Sequence, residues 1–247
     1  MLVRRRSTRR CPSGIRFATA TQRDSGRATA APFGRGVRTF AIEEDAVADW
    51  RLGTTTVGED GLARCNWIRD WSTDPALRQY HDDEWATPID DPPAVFEALS
   101  LGVFQAGLGW TTVFHKRDAF RAAFHDFDPA SVAMFTDQDV IQMLGNPKIV
   151  RNRSKIESTV HNARVVRDSE LDLAALARAF VPADHVSPAD GASVPTRSPE
   201  AAALTQVLKA RGIRFIGPTS VYAWMQSIGV VNDHVRGCFR AGPGGQR

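Results

Sequence analysis

Two pairs of cysteine and histidine residues, one near each end of a long segment, constrain the fold of this chain most. Fifteen residues separate Cys65 from His81, whereas His234 and Cys238 are four positions apart. Residues four apart share one face of a helical turn, so the second pair can present both side chains together. Two thiolates and two imidazoles complete a tetrahedral Zn²⁺ shell with no position for water, which makes such a site structural. The spacing differs from that of zinc fingers, and two buried thiols with two hydrogen-bonded histidines are the alternative.

Short motifs surround these residues: RCNW at 64–67, YHDDEW at 80–85, FQAGLGW at 104–110 and VNDHVRGC at 231–238. In this order they make the chain resemble the DNA-3-methyladenine glycosylase I family from residue 64 to residue 238. The resemblance implies an all-α fold, namely a helix-hairpin-helix DNA glycosylase-like bundle with a structural zinc that ties the two ends of the domain. It places the Zn²⁺ ligands on Cys65, His81, His234 and Cys238.

Charge is divided unevenly along the 247 residues, whose net charge is +3. Residues 1–41 contain ten Arg and one Asp, so residues 42–247 carry a net charge of about −6. A DNA-binding face in that part must therefore be a local basic patch. No apolar run is long enough for a membrane span, so we expect no membrane partner. Three cysteines make no disulfide framework, which indicates a reducing compartment, the cytoplasm.

The first 60 residues are rich in Arg, Ala, Thr, Gly and Ser and show little hydrophobic periodicity. Such a composition buries too little apolar surface to become ordered, so we predict a disordered basic extension over 1–60. Three interpretations stay open for it: an arm that adds nonspecific DNA affinity, a transit-like peptide, or translation upstream of the true start. The predicted glycosylase-like domain spans 61–240, and 241–247 form a flexible tail.

Apolar residues at helical spacing predict a helical domain joined by short loops. One helix begins at Pro92-Pro93 and passes through Phe104, and a similar pattern runs from Trp110 to Phe127. Thr136 followed by Asp139 marks the start of another helix, which runs to Leu144. A further helix has Ser198 as N-cap and ends before Gly212. Residues 181–195 contain three prolines and no periodicity, which indicates a surface loop; its His185 is expected to be solvated.

A basic turn separates the helix ending at Leu144 from one starting near Arg153. Its Gly and Pro force a tight turn, and a turn that feeds a helix start leaves backbone N–H groups free for a phosphate. The resemblance makes this stretch the DNA-gripping hairpin, and a solvated basic face is the alternative. The side chains expected to contact DNA phosphates here are Lys148, Arg151, Arg153 and Lys155.

Aromatic residues provide a candidate pocket, because a glycosylase must flip its target base out of the duplex and hold it. The family's aromatic positions fall on Tyr80, Trp85 and Trp110, where a cationic N3-methylated adenine would gain cation–π stabilisation. Core packing is the alternative for each. Gln105, Gly107 and Leu108 are assigned to DNA contact, with Leu108 as the apolar wedge that fills the gap left by the flipped nucleotide.

At one position the chain departs from the family pattern. The family's glutamate, which contacts the damaged base, stands three residues before the Gln of the Gln-Ala-Gly motif, and Gly102 occupies that place. The catalytic residue is therefore unknown. Glu97 lies about 500° around the helix and is expected to point elsewhere. Asp82, Asp83 and Glu84 beside Tyr80 stay open as substitutes.

These observations predict a monomeric, monofunctional DNA glycosylase that uses one Zn²⁺ for structure and acts on alkylated double-stranded DNA. It would hydrolyse the N-glycosidic bond of 3-methyladenine-type purines, with activity weakened or altered by the loss of the glutamate. A noncatalytic DNA-lesion-binding protein with the same fold is the main alternative. A zinc hydrolase that uses residues 81–84 would require an open metal position, which four Cys/His ligands do not leave.

Overall fold

The computed structural model describes residues 54–67 and 71–242, and within these ranges it is predominantly helical. Ten α-helices follow in chain order: α1 Pro75–Gln79, α2 Pro92–Gln105, α3 Trp110–Phe114, α4 Arg117–Ala123, α5 Pro129–Ala133, α6 Asp137–Gly145, α7 Arg153–Asp168, α8 Leu173–Arg178, α9 Pro199–Ala210 and α10 Pro218–Ser227. A π-helical turn, Tyr80–Glu84, continues α1, and 3-10 turns occupy His125–Phe127 and Gly191–Ser193.

A two-stranded antiparallel sheet precedes the helices. Strand β1, Thr55–Val57, pairs with β2, Ala63–Cys65, in a register that sets Thr55 opposite Cys65. The all-α prediction is therefore wrong for this segment. Residues 54–60, which the predicted extension includes, contain β1 and the start of the turn to β2; the rest of that extension lies outside the described residues. Strands of three residues are too short for an alternating pattern to reveal them.

Most predicted helix boundaries are confirmed by their capping interactions. Asp91 caps α2, which opens with proline, and accepts a hydrogen bond from the Ala94 amide. Ser198 caps α9 in the same way and accepts from the Ala201 amide. The predicted capping box opens α6, where the Asp139 carboxylate accepts from the Thr136 amide at 2.7 Å. These caps satisfy N–H groups that the first helical turn cannot pair internally.

The apolar pattern over residues 110–127 forms two short helices and a 3-10 turn instead of one helix. His125, Asp126 and Phe127 all adopt positive φ, which no α-helix tolerates. The break lets Phe120, Phe124 and Phe127 all turn inward, and each is fully buried in the main core. Local helical periodicity is kept within each piece, so the sequence pattern does not reveal the break.

The long helix α2 lies at the centre of the helical core. It packs against α7, α8 and α10, and the indole Nε1 of Trp224 donates to the carbonyl of Val95 at 3.1 Å. At the other end of the described chain, Ala241 is buried and the Gly242 amide donates to Ser187 Oγ. Residues 241 and 242 of the predicted tail thus contact the domain, and 243–247 lie outside the described residues. No helix among the described residues is long and apolar enough to cross a membrane.

Candidate functional site

The four predicted metal ligands converge on one buried point. Their donor atoms all lie within 4.8 Å of one another. His234 Nδ1 is 3.5 Å from the Sγ of both Cys65 and Cys238, and His81 Nε2 is 3.6 Å from Cys238 Sγ. A tetrahedron with Zn–S near 2.3 Å and Zn–N near 2.0–2.1 Å has S–N edges of about 3.6 Å. The donor set therefore fits a tetrahedral Zn²⁺ and fills its shell.

Further hydrogen bonds fix the two imidazole rings. His81 Nδ1 lies 2.8 Å from Asp82 Oδ1, and the Arg64 guanidinium donates to the same carboxylate at 2.7–3.0 Å. His234 Nε2 lies 3.2 Å from the carbonyl of Trp85. Each ring thus directs its other nitrogen toward the cluster, as outer partners of metal-bound histidines do. Although burial opposes ionisation, hydrogen bonds from Arg64 lower the pKa of Asp82, so this carboxylate supports the cluster from outside.

The two thiols of the cluster differ in their pKa. The hydrogen bond with Cys238 and burial raise the pKa of Cys65, whereas the hydrogen bonds from Cys65 and the two imidazoles lower the pKa of Cys238. These hydrogen bonds thus favour the ionised form of Cys238 over that of Cys65. Since the ligands come from β2, the π-helical turn and the segment after α10, the cluster joins the two ends of the domain.

A cavity of about 440 Å³ lies beside this cluster and contains the predicted pocket. Tyr80, Trp85 and Trp110 all line it, together with Gly102 and Gln105. The rings of Tyr80 and Trp110 are 5.4 Å apart between centroids. The π-helical turn explains how neighbouring residues serve two sites, because it directs His81 to the metal cluster while Tyr80 faces the cavity. Burial raises the pKa of the Tyr80 phenol, which keeps it a neutral hydrogen-bonding group.

The position of the missing glutamate faces this cavity and has room for a side chain. A Cβ added at Gly102 would meet only the Ser220 carbonyl oxygen, at 3.9 Å. Glu97 points elsewhere, as expected: it accepts from Arg121 at 2.8 Å and lies 3.5 Å from Arg117. Arg117 also pairs with Glu84 at 2.8 Å, and its side chain is only 15% exposed.

The other candidate substitutes do not reach the cavity either. Asp82 holds Arg64 and His81, and Asp83 and Glu84 line a separate cavity of about 180 Å³ behind Tyr80. Among the described residues that line the main cavity, Asp233 is the one carboxylate, and its side chain is fully buried.

The predicted wedge sits on a tight turn directly after α2. Ala106 has φ −51° and ψ 115°, Gly107 has φ +79°, and the Leu108 amide donates to the Gln105 carbonyl at 2.7 Å. This is a type II turn, which requires positive φ at its third residue and therefore favours glycine. It leaves Leu108 42% exposed.

The predicted basic turn is present between α6 and α7, but its four side chains differ in position. Lys148, Arg151 and Arg153 are exposed. Lys155 is only 5% exposed, and its Nζ donates to the carbonyls of Phe104 and Ala106 at 2.7 and 2.6 Å. The prediction that Lys155 contacts a phosphate is therefore wrong. This lysine instead binds the last carbonyls of α2, directly before the Leu108 turn.

Comparison with known proteins agrees with this geometry. The family model for methyladenine glycosylases matches residues 67–241. The chain belongs to the methyladenine glycosylase family. It is 40% identical over 184 residues to DNA-3-methyladenine glycosylase 1 of Escherichia coli, which covers 72% of this chain and 96% of that protein. The DNA-3-methyladenine glycosylase of Haemophilus influenzae is 39% identical over 181 residues, covering 71% and 96%.

Solved structures of methyladenine glycosylases share the fold. A crystal structure of 3-methyladenine DNA glycosylase I superposes with a TM-score of 0.66 at 40% identity, covering 71% of this chain and 98% of that one. A structure of the Staphylococcus aureus enzyme, which concerns 3-methyladenine recognition, gives a TM-score of 0.65 at 30% identity and covers 69% and 93%.

Sequence reasoning missed several residues of this methyladenine glycosylase site. Trp67 lines the cavity although only its motif was noted, and its buried Nε1 has no hydrogen-bond partner among the described residues. Gln226 and Asp233 also line it. His185, expected in solvent, lies 2.9 Å from the Asn232 carbonyl through Nε2. Only the VNDHVRGC motif pointed to this region, since Gln226 sits in an ordinary amphipathic helix.

Proposed function

We propose that this protein is a base-excision DNA glycosylase that flips 3-methyladenine-type alkylated purines into the 440 Å³ cavity and hydrolyses their N-glycosidic bond. The observation that carries the proposal is the cavity itself, which Tyr80, Trp85 and Trp110 line together with Gly102. Family membership supports it, since the relatives named above are 3-methyladenine glycosylases.

Departure of the alkylated base does not require a general acid. An N3-alkylated adenine already carries a positive charge, so the electrons of the breaking N-glycosidic bond neutralise the departing base without a proton donor. Water adds to the sugar carbon and releases its proton to solvent. The aromatic faces contribute by holding the cation, a term of about 0.5–2 kcal/mol. No lysine of the described cavity wall offers an amine for Schiff-base chemistry, which favours simple hydrolysis.

Loss of the family glutamate weakens this activity and compresses the preference for cationic over neutral lesions. Losing one electrostatic partner costs about 3–4 kcal/mol in comparable sites. The test is single-turnover base release from methylated DNA, identified by mass spectrometry, for wild type and Gly102→Glu. We expect the restored carboxylate to accelerate 3-methyladenine release more than release of neutral lesions.

Ala203→Glu adds the same charge on an exposed position of α9 and serves as the control. No base release from any lesion by wild type, with binding to lesion DNA retained, would favour the noncatalytic lesion-binding protein. The observation that favours this noncatalytic function is that Gly102 stands where the family has its glutamate.

We further propose that DNA is gripped by the exposed side chains of the basic turn, Lys148, Arg151 and Arg153, while Leu108 enters the duplex. Helix α7 begins directly after this turn, and the N–H groups of its first turn lack intrahelical acceptors and can bind phosphate. Leu108→Glu should abolish the preference for abasic-site DNA over intact duplex, and Leu62→Glu, an exposed leucine of the β1–β2 hairpin, should not.

The metal cluster is proposed to hold Zn²⁺ as a structural ion bound by Cys65, His81, His234 and Cys238. It would supply folding free energy and no step of the reaction, because the four donors leave no open position. A hydrolase that activates water on this metal is thereby disfavoured. Reduced thiol ligands suit the cytoplasm, and the protein is proposed to act there as a monomer.

A further inference from the structure

One wall of the main cavity carries an amide whose orientation is fixed from behind. Gln226, on α10, lines the cavity. Its Nε2 donates to Asp233 Oδ2 at 2.7 Å, and the Tyr222 hydroxyl donates to the same oxygen, also at 2.7 Å. Asp233 is fully buried, and Tyr222 is 2% exposed. The carboxylate therefore belongs to a buried support at the cavity wall, and its Oδ2 is occupied by two donors of the protein.

This support determines which end of the amide the cavity meets. An oxygen that already accepts from Tyr222 must meet the NH₂ group of Gln226, because the flipped amide would set two acceptors 2.7 Å apart. The amide oxygen Oε1 is then the atom left over. None of the hydrogen bonds between described residues involves Oε1, so it is available to a bound molecule.

The second oxygen of Asp233, Oδ1, differs from the first. Its Oδ1 is buried and makes no hydrogen bond within the described residues. His185 Nε2 lies 3.3 Å from it but is closer, at 2.9 Å, to the carbonyl of Asn232. The carboxylate is therefore positioned through Oδ2, which accepts from both Tyr222 and Gln226.

We infer that Gln226 is a specificity-determining residue whose Oε1 accepts a hydrogen bond from the exocyclic amine of the flipped base. Adenine carries an NH₂ donor at the ring position where guanine carries an acceptor oxygen. An oxo base in this pocket would face Oε1 with a second acceptor and leave both unpaired, which is the arrangement that gives strong discrimination. The inference rests on the proposed function, because it assigns the identity of the base held in the same cavity.

The absence of a glutamate at Gly102 gives this contact particular weight. A neutral amide oxygen recognises a donor regardless of the charge of the ring, so it distinguishes adenine-type from guanine-type bases but not cationic from neutral ones. Base identity and base charge are then read by different groups, the first by Gln226 and the second by the aromatic faces.

The test uses the full-length protein and two free bases of the same shape, 3-methyladenine and 3-methylhypoxanthine, which carries oxygen in place of the amine. Binding is followed by quenching of tryptophan fluorescence, since Trp67, Trp85 and Trp110 line the cavity. We expect wild type to prefer 3-methyladenine by about tenfold, the worth of one hydrogen bond. Gln226→Met, which keeps length and removes the acceptor, should bring the ratio near one by weakening 3-methyladenine alone.

Gln142→Met, the same substitution at an exposed position of α6, is the matched control because it leaves the cavity and its support unchanged. It should keep the tenfold ratio. Equal loss of the ratio in both variants, or an unchanged ratio in a folded Gln226→Met, would overturn the inference. Base release from methylated DNA is measured in parallel. A wild type that discriminates between the free bases but releases none would contradict the proposed catalysis while leaving the role of Gln226 intact.

Discussion

Replacement of Lys155 by methionine separates two roles that this lysine could have. In the structure its ammonium is buried and donates to two carbonyls at the end of α2, Phe104 and Ala106. Burial lowers its pKa. A buried ammonium with two carbonyl acceptors stabilises the fold, whereas an exposed one on a phosphate would stabilise only the DNA complex.

The magnitude follows from the two hydrogen bonds. Each bond to a charged group is worth about 1.5–3 kcal/mol, and the two carbonyls would be left without that donor in Lys155→Met. Removing the desolvated charge returns part of this, so we expect a net loss of about 2–4 kcal/mol in the free energy of unfolding. With a urea dependence of about 2 kcal/mol/M, the unfolding midpoint should fall by roughly 1–2 M.

The assay combines urea unfolding with the salt dependence of DNA binding. Arg153→Met is the matched control, since Arg153 lies on the same helix, is 54% exposed and pairs only with Glu157 at 3.1 Å among the described residues. It should change stability by about 0.5 kcal/mol or less. A lost phosphate contact would reduce the slope of log K against log salt by about 0.9. The reasoning is refuted if Lys155→Met leaves stability unchanged and reduces that slope.

Three other perturbations test the metal site, the N-terminal boundary of the domain and one helix cap. Removing metal with a chelator, or Cys65→Ser, should lower the melting temperature strongly, because structural zinc binding is folding free energy; protein purified without chelators and free of metal would contradict this. A chain starting at residue 54 should melt like the full chain, whereas one starting at residue 61 should melt lower, since it lacks β1. Hydrogen bonds from the Ser131 side chain and backbone lower the pKa of Asp128, so its stabilisation is present above about pH 4 and is lost as the pH falls. Asp128→Asn should therefore reduce the fall in the free energy of unfolding that accompanies a fall in pH below about 4. An unchanged fall in the variant would show that this cap contributes nothing.

The parts of the site that the sequence predicts are the residues that lie within short motifs. The four metal ligands could be predicted because each lies in a recognisable motif. The same holds for the aromatic residues that line the cavity. The predicted caps of α6 and α9 also hold, because a cap depends only on residues within one turn.

What the sequence does not predict depends on contacts between distant segments. Lys155 carries the same charge as Arg151 and Arg153, and only the fold brings the carbonyls at the end of α2 to its Nζ. The β1–β2 hairpin pairs six residues, too few for a period to emerge. The break at His125 depends on positive φ values that three non-glycine residues adopt together. Gln226 escapes notice because its role is set by Asp233, seven positions away and beyond the end of its helix.

The distribution of carboxylates around the cavity bears on how a cationic base could be recognised without the family glutamate. Glu97 is held by Arg117 and Arg121, and the guanidinium of Arg117 lies 5.9 Å from the centre of the Tyr80 ring. Asp233 directs one oxygen to Tyr222 and Gln226. The acids near the cavity therefore bind groups of the protein, and a positively charged lesion would meet aromatic faces and amides. The aromatic faces distinguish a cationic from a neutral base only through the cation–π term of about 0.5–2 kcal/mol, which is less than a carboxylate would contribute. Restoring a carboxylate at Gly102 is then the smallest change that would return charge recognition to the pocket.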